Sequence, residues 1–232
     1  MKVSVITPCL NSAGTIRQTI ESVLHQTYTD IEYIIVDGGS TDGTIGIIQE
    51  YVFRFQGRLQ YICEPDHGIY DAMNKGIRMS HGKVIGIINS DDFYEKNAVE
   101  HVMTHLGSGK YQVVYGYCRM FSNGHVSGVL RRNHRNLSQA MIPHPTCFVT
   151  RDIYKEFGMF LTGLKIAGDY ELMLRLYTGS KVEFIQIKEV IADFRVGGAS
   201  NRYKRLKRER ALILYHYRMI PFKEMIGQFL GF

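Results

Sequence analysis

Between Lys83 and Tyr94 an apolar run, Val84, Ile85, Gly86, Ile87 and Ile88, stops abruptly at Asn89, Ser90, Asp91 and Asp92. No polar residue alternates with the apolar ones and the run is too short for a stable helix. It therefore reads as a strand buried on both faces, the kind found in a parallel sheet covered by helices. A buried strand that ends in two adjacent carboxylates brings charge to the carboxyl edge of the sheet, where open α/β sheets bind their ligands. Hard carboxylate oxygens at that edge suit Mg²⁺ or Mn²⁺ carrying a phosphorylated ligand. The plainer alternative is that Asp91 and Asp92 cap a helix expected from about Asn97.

The preceding chain repeats the same unit. VSVIT from Val3 reads as a strand, and Ile16, Ile20, Val23 and Leu24 then recur at helical spacing behind a Thr15/Gln18 capping box. Ile31 to Asp37 is a second strand, followed by the turn GGSTDG and a helix marked by Ile45, Ile48, Val52 and Phe55. LQYIC from Leu59 is a third strand, and Ile69 to Met79 a helix with Ala72, Met73, Gly76 and Ile77 on one side. Such alternation predicts an α/β fold with a mostly parallel sheet and helices on both faces. Beyond Asp92 the pattern becomes α+β. A helix near Asn97 to Leu106 leads to QVVYGYC and VSGVL, which read as a hairpin turning at Asn123 and Gly124. A helix starting at Asp152, another over ELMLRLY, a strand in VEFIQI and the segment VIADFRVGGASN follow. The expected organisation is one domain over 1–200, divided into a ligand half (1–95) and a second half (96–200), with a tail over 201–232.

Composition narrows the function. Hydrophobic residues at 45% and charged residues at 22% exclude a disordered chain. Cys9, Cys63, Cys118 and Cys147 lie far apart with no C-x-x-C pair, and read as reduced core thiols rather than a zinc site or disulfide framework. The histidines show no metal-binding spacing. Eight basic residues against Glu209 and Glu224 in residues 202–232 account for the whole net charge of +6. A charge confined to the tail points to a localised anionic surface rather than to nucleic acid. No apolar run is long enough to span a bilayer and none resembles a secretion signal, so a cytoplasmic location is expected.

Several carboxylates end strands or begin helices: Asp37, Asp66, Asp91, Asp92 and Asp169. On one sheet rim they repel each other unless a cation or a donor-rich ligand lies among them. The glycines of GGSTDGT permit tight turns and close backbone approach. Neither a G-x-G-x-x-G loop nor a G-x-x-x-x-G-K-[ST] loop is present, which counts against dehydrogenases and P-loop ATPases.

The stretches from TPCLNSAGT to VDGGSTDGT, then EPDHGIYDAMNKGI, GKVIGIINSDDFY and AGDYELMLRL, in that order, resemble family 2 of the glycosyltransferases. That family is the inverting, nucleotide-sugar-dependent group with the GT-A fold, and the likeness covers about residues 3–196. It is greatest to small bacterial enzymes that assemble exopolysaccharide, colanic-acid-type and lipopolysaccharide repeat units. The resemblance implies a nucleotide-sugar site at Pro8, Cys9, Leu10, Asn11, Asp37, Asp66, Asp71, Asn74 and Asp91. It implies Asp92 as the direct metal ligand with Asp91 nearer the ribose, Mn²⁺ or Mg²⁺ as cofactor, Asp169 as catalytic base and His144 beside the acceptor pocket. Gly38 stands where many relatives have a second Asp that contacts the base, and Met73 where they have Arg. Base recognition then falls to Asp37, Asp66 or Asp71, with UDP the favoured nucleotide.

On this reading a sugar passes from a nucleotide-diphosphate donor to a carbohydrate acceptor, carried on a lipid. The metal stabilises the leaving diphosphate and Asp169 takes the proton of the attacking hydroxyl. The alternatives are a nucleotidyltransferase on a similar sheet and a non-catalytic carbohydrate-binding scaffold. Asp169 also suits a helix N-cap, and His144, between Pro143 and Pro145, a structural loop histidine. In the tail, Leu206, Ile213, Leu214 and Tyr217 share a helical face, and after Pro221 the residues Phe222, Met225, Ile226, Phe229 and Leu230 form an apolar stripe. Two such helices with basic residues predict a peripheral anchor on an anionic membrane, on its inner face. The other reading packs both helices on the domain or on a second subunit of a homodimer.

Overall fold

The four apolar runs of the first half form β1 (Val3–Cys9), β2 (Ile31–Asp37), β3 (Leu59–Cys63) and β4 (Val84–Ile87). The computed structural model describes residues 1–122, 124–197 and 203–230. Asn123, expected at the hairpin turn, Arg202, counted in the basic tail, and the end of the VIADFRVGGASN segment lie outside the described residues. β1 pairs in parallel with β2 and β4, and β2 with β3. Their connections are α1 (Ile16–Leu24), α2 (Thr44–Val52) and α3 (Ile69–Met79).

Alternation within the strands sorts the core into two layers. Ile6, Ile34 and Val36 meet Tyr70, Ala72 and Met73 of α3, while Val3, Val5, Tyr33 and Ile35 meet Ile16 and Ile20 of α1 and Ile48 and Tyr51 of α2. Helices therefore cover both faces, as the continuous apolar runs require. Phe53–Phe55 extends α2 as one 3₁₀ turn that buries Phe55. The Thr15/Gln18 capping box is not formed: Thr15 makes no side-chain cap bond, and Gln18 is engaged elsewhere.

The second half completes one mixed sheet. Its elements are β5 (Phe93–Tyr94), α4 (Ala98–His105), β6 (Gln112–Ser122), β7 (His125–Leu130), β8 (Phe148–Thr150), α5 (Arg151–Phe157), α6 (Gly168–Thr178) and β9 (Glu183–Arg195). The strand order is β3-β2-β1-β4-β8-β6-β9-β5, with β7 hydrogen-bonded to β6 as the expected hairpin. β8 runs antiparallel between β4 and β6, and β5 returns antiparallel against β9. The strand expected in VEFIQI continues through VIADFR as one 13-residue strand, whose register against β6 shifts around Tyr115 to Cys118. β5 and β8 are too short for periodicity to reveal.

The tail forms α7 (Tyr203–His216) and α8 (Phe222–Leu230). Ala211, Ile213 and Leu214 of α7 are buried, and Leu206 and Tyr217 pack partly buried on the core that α6 also covers. The apolar face of α7 is thus internal to the domain. α8 buries Met225 but leaves Phe222, Ile226 and Leu230 exposed. All four cysteines are free. Cys9, Cys118 and Cys147 are core residues as expected, whereas Cys63, last in β3, is exposed.

In β4, Gly86 lies under an aromatic pair contributed by β5 and β8. A Cβ there would sit 2.8 Å from both Phe148 Cδ1 and Tyr94 Oη, and the rings are already in contact at 5.3 Å between centroids. Gly86→Ala should destabilise the protein by about 1–3 kcal/mol through overpacking. Calorimetry should show the midpoint falling by about 2–4 °C per kcal/mol at this chain length. Adding Phe148→Leu should recover part of the loss, and an unchanged midpoint for Gly86→Ala would mean that the rings shift freely.

Candidate active site

The carboxyl ends of β1, β2 and β3 are in register, with Cys9 opposite Asp37 and Asp37 opposite Cys63. Asp37 is completely buried and its carboxylate is filled by protein donors. Oδ1 accepts from Gly39 N–H (2.9 Å), Ser40 N–H (2.8 Å) and Cys63 Sγ (3.2 Å), and Oδ2 from Ser40 Oγ (2.5 Å) and Cys9 Sγ (3.4 Å). Burial works to raise the Asp37 pKa, but the donors led by Ser40 outweigh it and hold the group below the usual Asp value. Asp37 therefore shapes the GGSTDG loop rather than presenting free oxygens to a ligand. The loop is stitched to the one after β1. Asn11, at φ +50°, takes Thr41 N–H on its side-chain oxygen (2.9 Å) and donates its own N–H to Ser40 Oγ (2.7 Å), and Ala13 N–H reaches Asp42 (3.0 Å). Pro8 is buried in β1, while Leu10 and Asn11 are exposed at the rim.

The loop after β4 joins this assembly through a hydrogen bond between the Ser12 and Ser90 hydroxyls (2.7 Å). Asp92 is fully buried. Its Oδ1 accepts from Arg195 N–H (3.0 Å), its Oδ2 lies 3.5 Å from Asn89 Nδ2, and its carbonyl accepts from Thr19 Oγ1 (2.7 Å). Burial, then the adjacent Asp91 charge, push its pKa well up. Asp91 is half-buried, and among the described residues its carboxylate receives no hydrogen bond from another side chain or backbone group. Burial raises its pKa too, against the pull of the Arg195 charge. Asp92 anchors the loop to β9, and Asp91 is the carboxylate with oxygens to spare. Neither caps α4, whose N-cap is Asn97.

Arg195, unmarked by any sequence motif, closes this side. Its Nε donates to the Asp91 carbonyl (3.2 Å) and its Nη2 to Gln18 Oε1 (2.7 Å). Next to it Asp193, fully buried, pairs with Arg119, which also reaches Glu95. A divalent cation fits the residues present. Asp91 offers hard oxygens, and Asn89 Oδ1 is a buried acceptor without a partner among the described residues. Among the described residues no group of three His, Cys, Asp or Glu forms a self-sufficient metal site, so a ligand would have to complete the coordination.

A second cluster gathers around Asp169. Asp169 lies in the first turn of α6, where Ala167 is the N-cap, so the N-cap reading of Asp169 does not apply. Its Oδ1 lies 3.1 Å from the hydroxyl of Tyr70 in α3, which also donates to Ile166 O (2.6 Å). Burial and the Asp169 charge push the Tyr70 pKa up, so the phenol stays protonated as a donor. Asn74 makes a reciprocal pair with the backbone of Phe160, at 2.9 and 3.0 Å, so its amide holds the loop before α6. Asp71 accepts His67 N–H (3.1 Å) and lies 3.9 Å from Lys75. His144 is buried, within the electrostatic reach of Asp169, and burial lowers its pKa against that charge, favouring a neutral ring.

Asp66 occupies an informative place. Its Oδ1 accepts Gly68 N–H (2.8 Å), and a Cβ on Gly38 would lie 2.5 Å from its Oδ2 and 3.5 Å from Leu10 Cδ1. The Asp66 carboxylate therefore fills the space that a side chain at position 38 would enter.

A mixed sheet with this strand order and acids at its carboxyl rim is that of a GT-A glycosyltransferase. The model of the family described as Glycosyl transferase family 2 matches residues 4–167, and the chain belongs to that family. A PGL/p-HBAD biosynthesis glycosyltransferase of Mycobacterium tuberculosis is 29% identical over 201 residues, covering 85% of this chain and 78% of the relative. Escherichia coli chondroitin synthase is 33% identical over 182 residues, 75% of this chain but 26% of that protein. S. aureus TarS in complex with UDP-GlcNAc superposes with a TM-score of 0.74 at 19% identity, over 99% of this chain and 72% of that one. The mannosyltransferase PcManGT from Pyrobaculum calidifontis, in complex with GDP-Man and Mn²⁺, gives 0.68 at 19% identity, over 93% and 62%. The nucleotidyltransferase alternative does not survive the family assignment.

Because the folded-state pKa of Asp37 lies below its unfolded value, its charge stabilises the fold above about pH 4, and that contribution is lost as pH falls through the folded value. Asp37→Asn should cost about 1.5–3 kcal/mol at pH 7, since an amide cannot accept all these donors. Urea unfolding should show the gap to the parent protein narrowing below about pH 4. A gap independent of pH would assign the loss to packing instead.

Proposed function

We propose that this family 2 enzyme transfers a sugar from a nucleotide-diphosphate sugar to a hydroxyl of a carbohydrate acceptor, in one displacement that inverts the anomeric carbon, in cell-surface polysaccharide synthesis. The observation that carries the reading is the division of the acids between Asp91 after β4, whose carboxylate has no donor among the described residues, and Asp169 at the head of α6. As the acceptor oxygen attacks the anomeric carbon, its proton passes to Asp169. The bond from that carbon to the diphosphate oxygen breaks, and the nucleoside diphosphate leaves with the electron pair. Tyr70 orients the Asp169 carboxylate, and neutral His144, within its electrostatic reach, would line the acceptor pocket. Mn²⁺ or Mg²⁺ held by Asp91, with Asp92 behind it, would stabilise the leaving diphosphate as a Lewis acid.

The donor class is supported by TarS with UDP-GlcNAc and by PcManGT with GDP-Man and Mn²⁺. UDP-sugars are our first choice, with Asp66 replacing the base contact that Gly38 cannot make, and Leu10 and Asn11 lining the same loop. Asp91→Asn should lower sugar transfer by at least about 10²-fold while folding survives. Asp169→Asn should abolish transfer yet leave donor binding within a few-fold. Release of UDP or GDP from UDP-GlcNAc and GDP-mannose, with Mn²⁺ and with EDTA, is the assay. Undiminished activity of Asp91→Asn in EDTA would remove the metal, parallel loss of donor affinity in Asp169→Asn would make that residue a binding group, and no turnover of any donor would favour the scaffold reading.

The acceptor in this reading is lipid-linked, and the enzyme reaches it from the membrane surface. Among the described residues no helix is long and apolar enough to cross a membrane. The outward face of α7 and α8 exposes Leu212, Tyr215, Phe222, Ile226 and Leu230 beside Lys204, Arg218 and Lys223. Such a face suits the interface of an anionic bilayer. Phe222→Ser with Leu230→Ser should abolish co-sedimentation with anionic liposomes and leave donor turnover intact, and salt should weaken binding by the parent protein. Concentration-dependent dimers disrupted by the same pair would favour the homodimer.

A further inference from the structure

Glu209, in α7, is almost completely buried, yet its carboxylate serves a loop more than forty residues earlier in the chain. Three successive backbone N–H groups converge on it. Lys165 N–H lies 3.0 Å from Oε1 and 3.2 Å from Oε2, Ile166 N–H 2.9 Å from Oε2 and Ala167 N–H 3.0 Å from Oε2. Arg205, one helical turn earlier, donates Nε to Oε1 (2.9 Å). Successive N–H groups in a bend make a concavity that suits an anion, and here the anion is a side chain of the tail. Burial works to raise the Glu209 pKa, but the donors from Ala167, Ile166 and Arg205 hold it below the usual Glu value, so it is ionised at neutral pH.

The loop it grips leads directly into Asp169. Ile166 O receives the Tyr70 hydroxyl that also faces Asp169, and Ala167 O accepts Glu171 N–H to start α6. Lys165 Nζ reaches across to His67 O (2.7 Å), and Phe160 is clamped by Asn74. The segment before α6 is thus held from α3 by side chains and from α7 by one carboxylate.

We infer that Glu209 is a positioning residue for glycosyl transfer: by filling the Lys165–Ala167 nest it sets the height and angle at which Asp169 meets the acceptor, and so makes α7 part of the catalytic apparatus. The inference rests on the reading of Asp169 as the base. A general base acts only within hydrogen-bond reach of the proton it takes, and displacement by about 1 Å from a remote change costs about 10²-fold.

The test uses the full chain with UDP-GlcNAc and with GDP-mannose, each in Mn²⁺, following nucleoside diphosphate release at temperatures well below unfolding. Glu209→Ala should lower kcat about 10- to 10²-fold and leave donor KM within twofold. Glu209→Gln, which keeps one acceptor oxygen, should lose less. Amide hydrogen exchange without any ligand should speed up at Lys165–Ala167 in both. Tyr217→Phe, which removes a separate bond from the tail to Glu171 (2.7 Å), should loosen the protein without the selective fall in kcat. Folded Glu209 variants with unchanged kcat would overturn the inference, as would equal losses in kcat and donor affinity. If Glu209→Ala does not fold, Glu209→Gln decides by the same criteria. Should Asp169→Asn retain full turnover, the reading of the base fails and this inference with it. Should Asp169→Asn be dead while both Glu209 variants are fully active, only the positioning role fails.

Discussion

A buried carboxylate must find donors or a cation, and this requirement governs the carboxyl rim of the sheet. Asp37 is answered by backbone N–H groups and a hydroxyl, Asp92 by the N–H of Arg195, Asp193 by the guanidinium of Arg119, and Glu209 by three loop amides. Each pairing fixes a different loop. Asp37 closes the turn after β2, Asp92 ties the end of β4 to β9, and Glu209 sets the approach to α6. The exception is Asp91, half-buried beside another acid and with no donor to its carboxylate among the described residues, an arrangement that positive charge would relieve. The same physics that engages the other acids in the fold leaves the Asp91 carboxylate the accessible one.

The role of the second half follows from that division. The end of β4 carries two acids, and a parallel strand beside it would bring a further carboxyl edge to the same place. Instead the short antiparallel β8 separates β4 from β6, and β9 runs far enough to bring Arg195 back over the Asp91–Asp92 loop. The register shifts between β6 and β9 occur before this point, and Gly116 accommodates the close passage, since a Cβ there would meet the Glu189 carbonyl at 2.8 Å. The length of β9 is what brings Arg195 to the Asp91–Asp92 loop.

The first half of this arrangement was legible because its strands are long, apolar and separated by helices of regular period, so type and order follow from pattern alone. The acids at the strand ends were legible as a rim for the same reason. Their individual roles were not. Asp91 and Asp92 are neighbours of identical chemistry, and only the backbone N–H of Arg195, a hundred residues on, decides which one is occupied. The partners of Asn74 and Gln18 are a loop backbone and a distant arginine, contacts with no local signature in the sequence. β5 and β8 stand below the length at which alternation is detectable.

The tail shows how an amphipathic pattern can be correct and still mislead. Both helices carry an apolar stripe, and sequence treats the two alike. The structure separates them by what each stripe meets. Ile213 and Leu214 are spent on the core shared with α6, whereas Phe222, Ile226 and Leu230 face outward. α7 is thus a wall of the domain and α8 a projection from it. The turn between them, at Arg218 with φ +56°, and the bond from Arg208 to Phe229 O join wall to projection. Arg208, which meets α8, is the neighbour of Glu209, which holds the loop before Asp169, so the contact with α8 and the grip on that loop come from adjacent residues of α7.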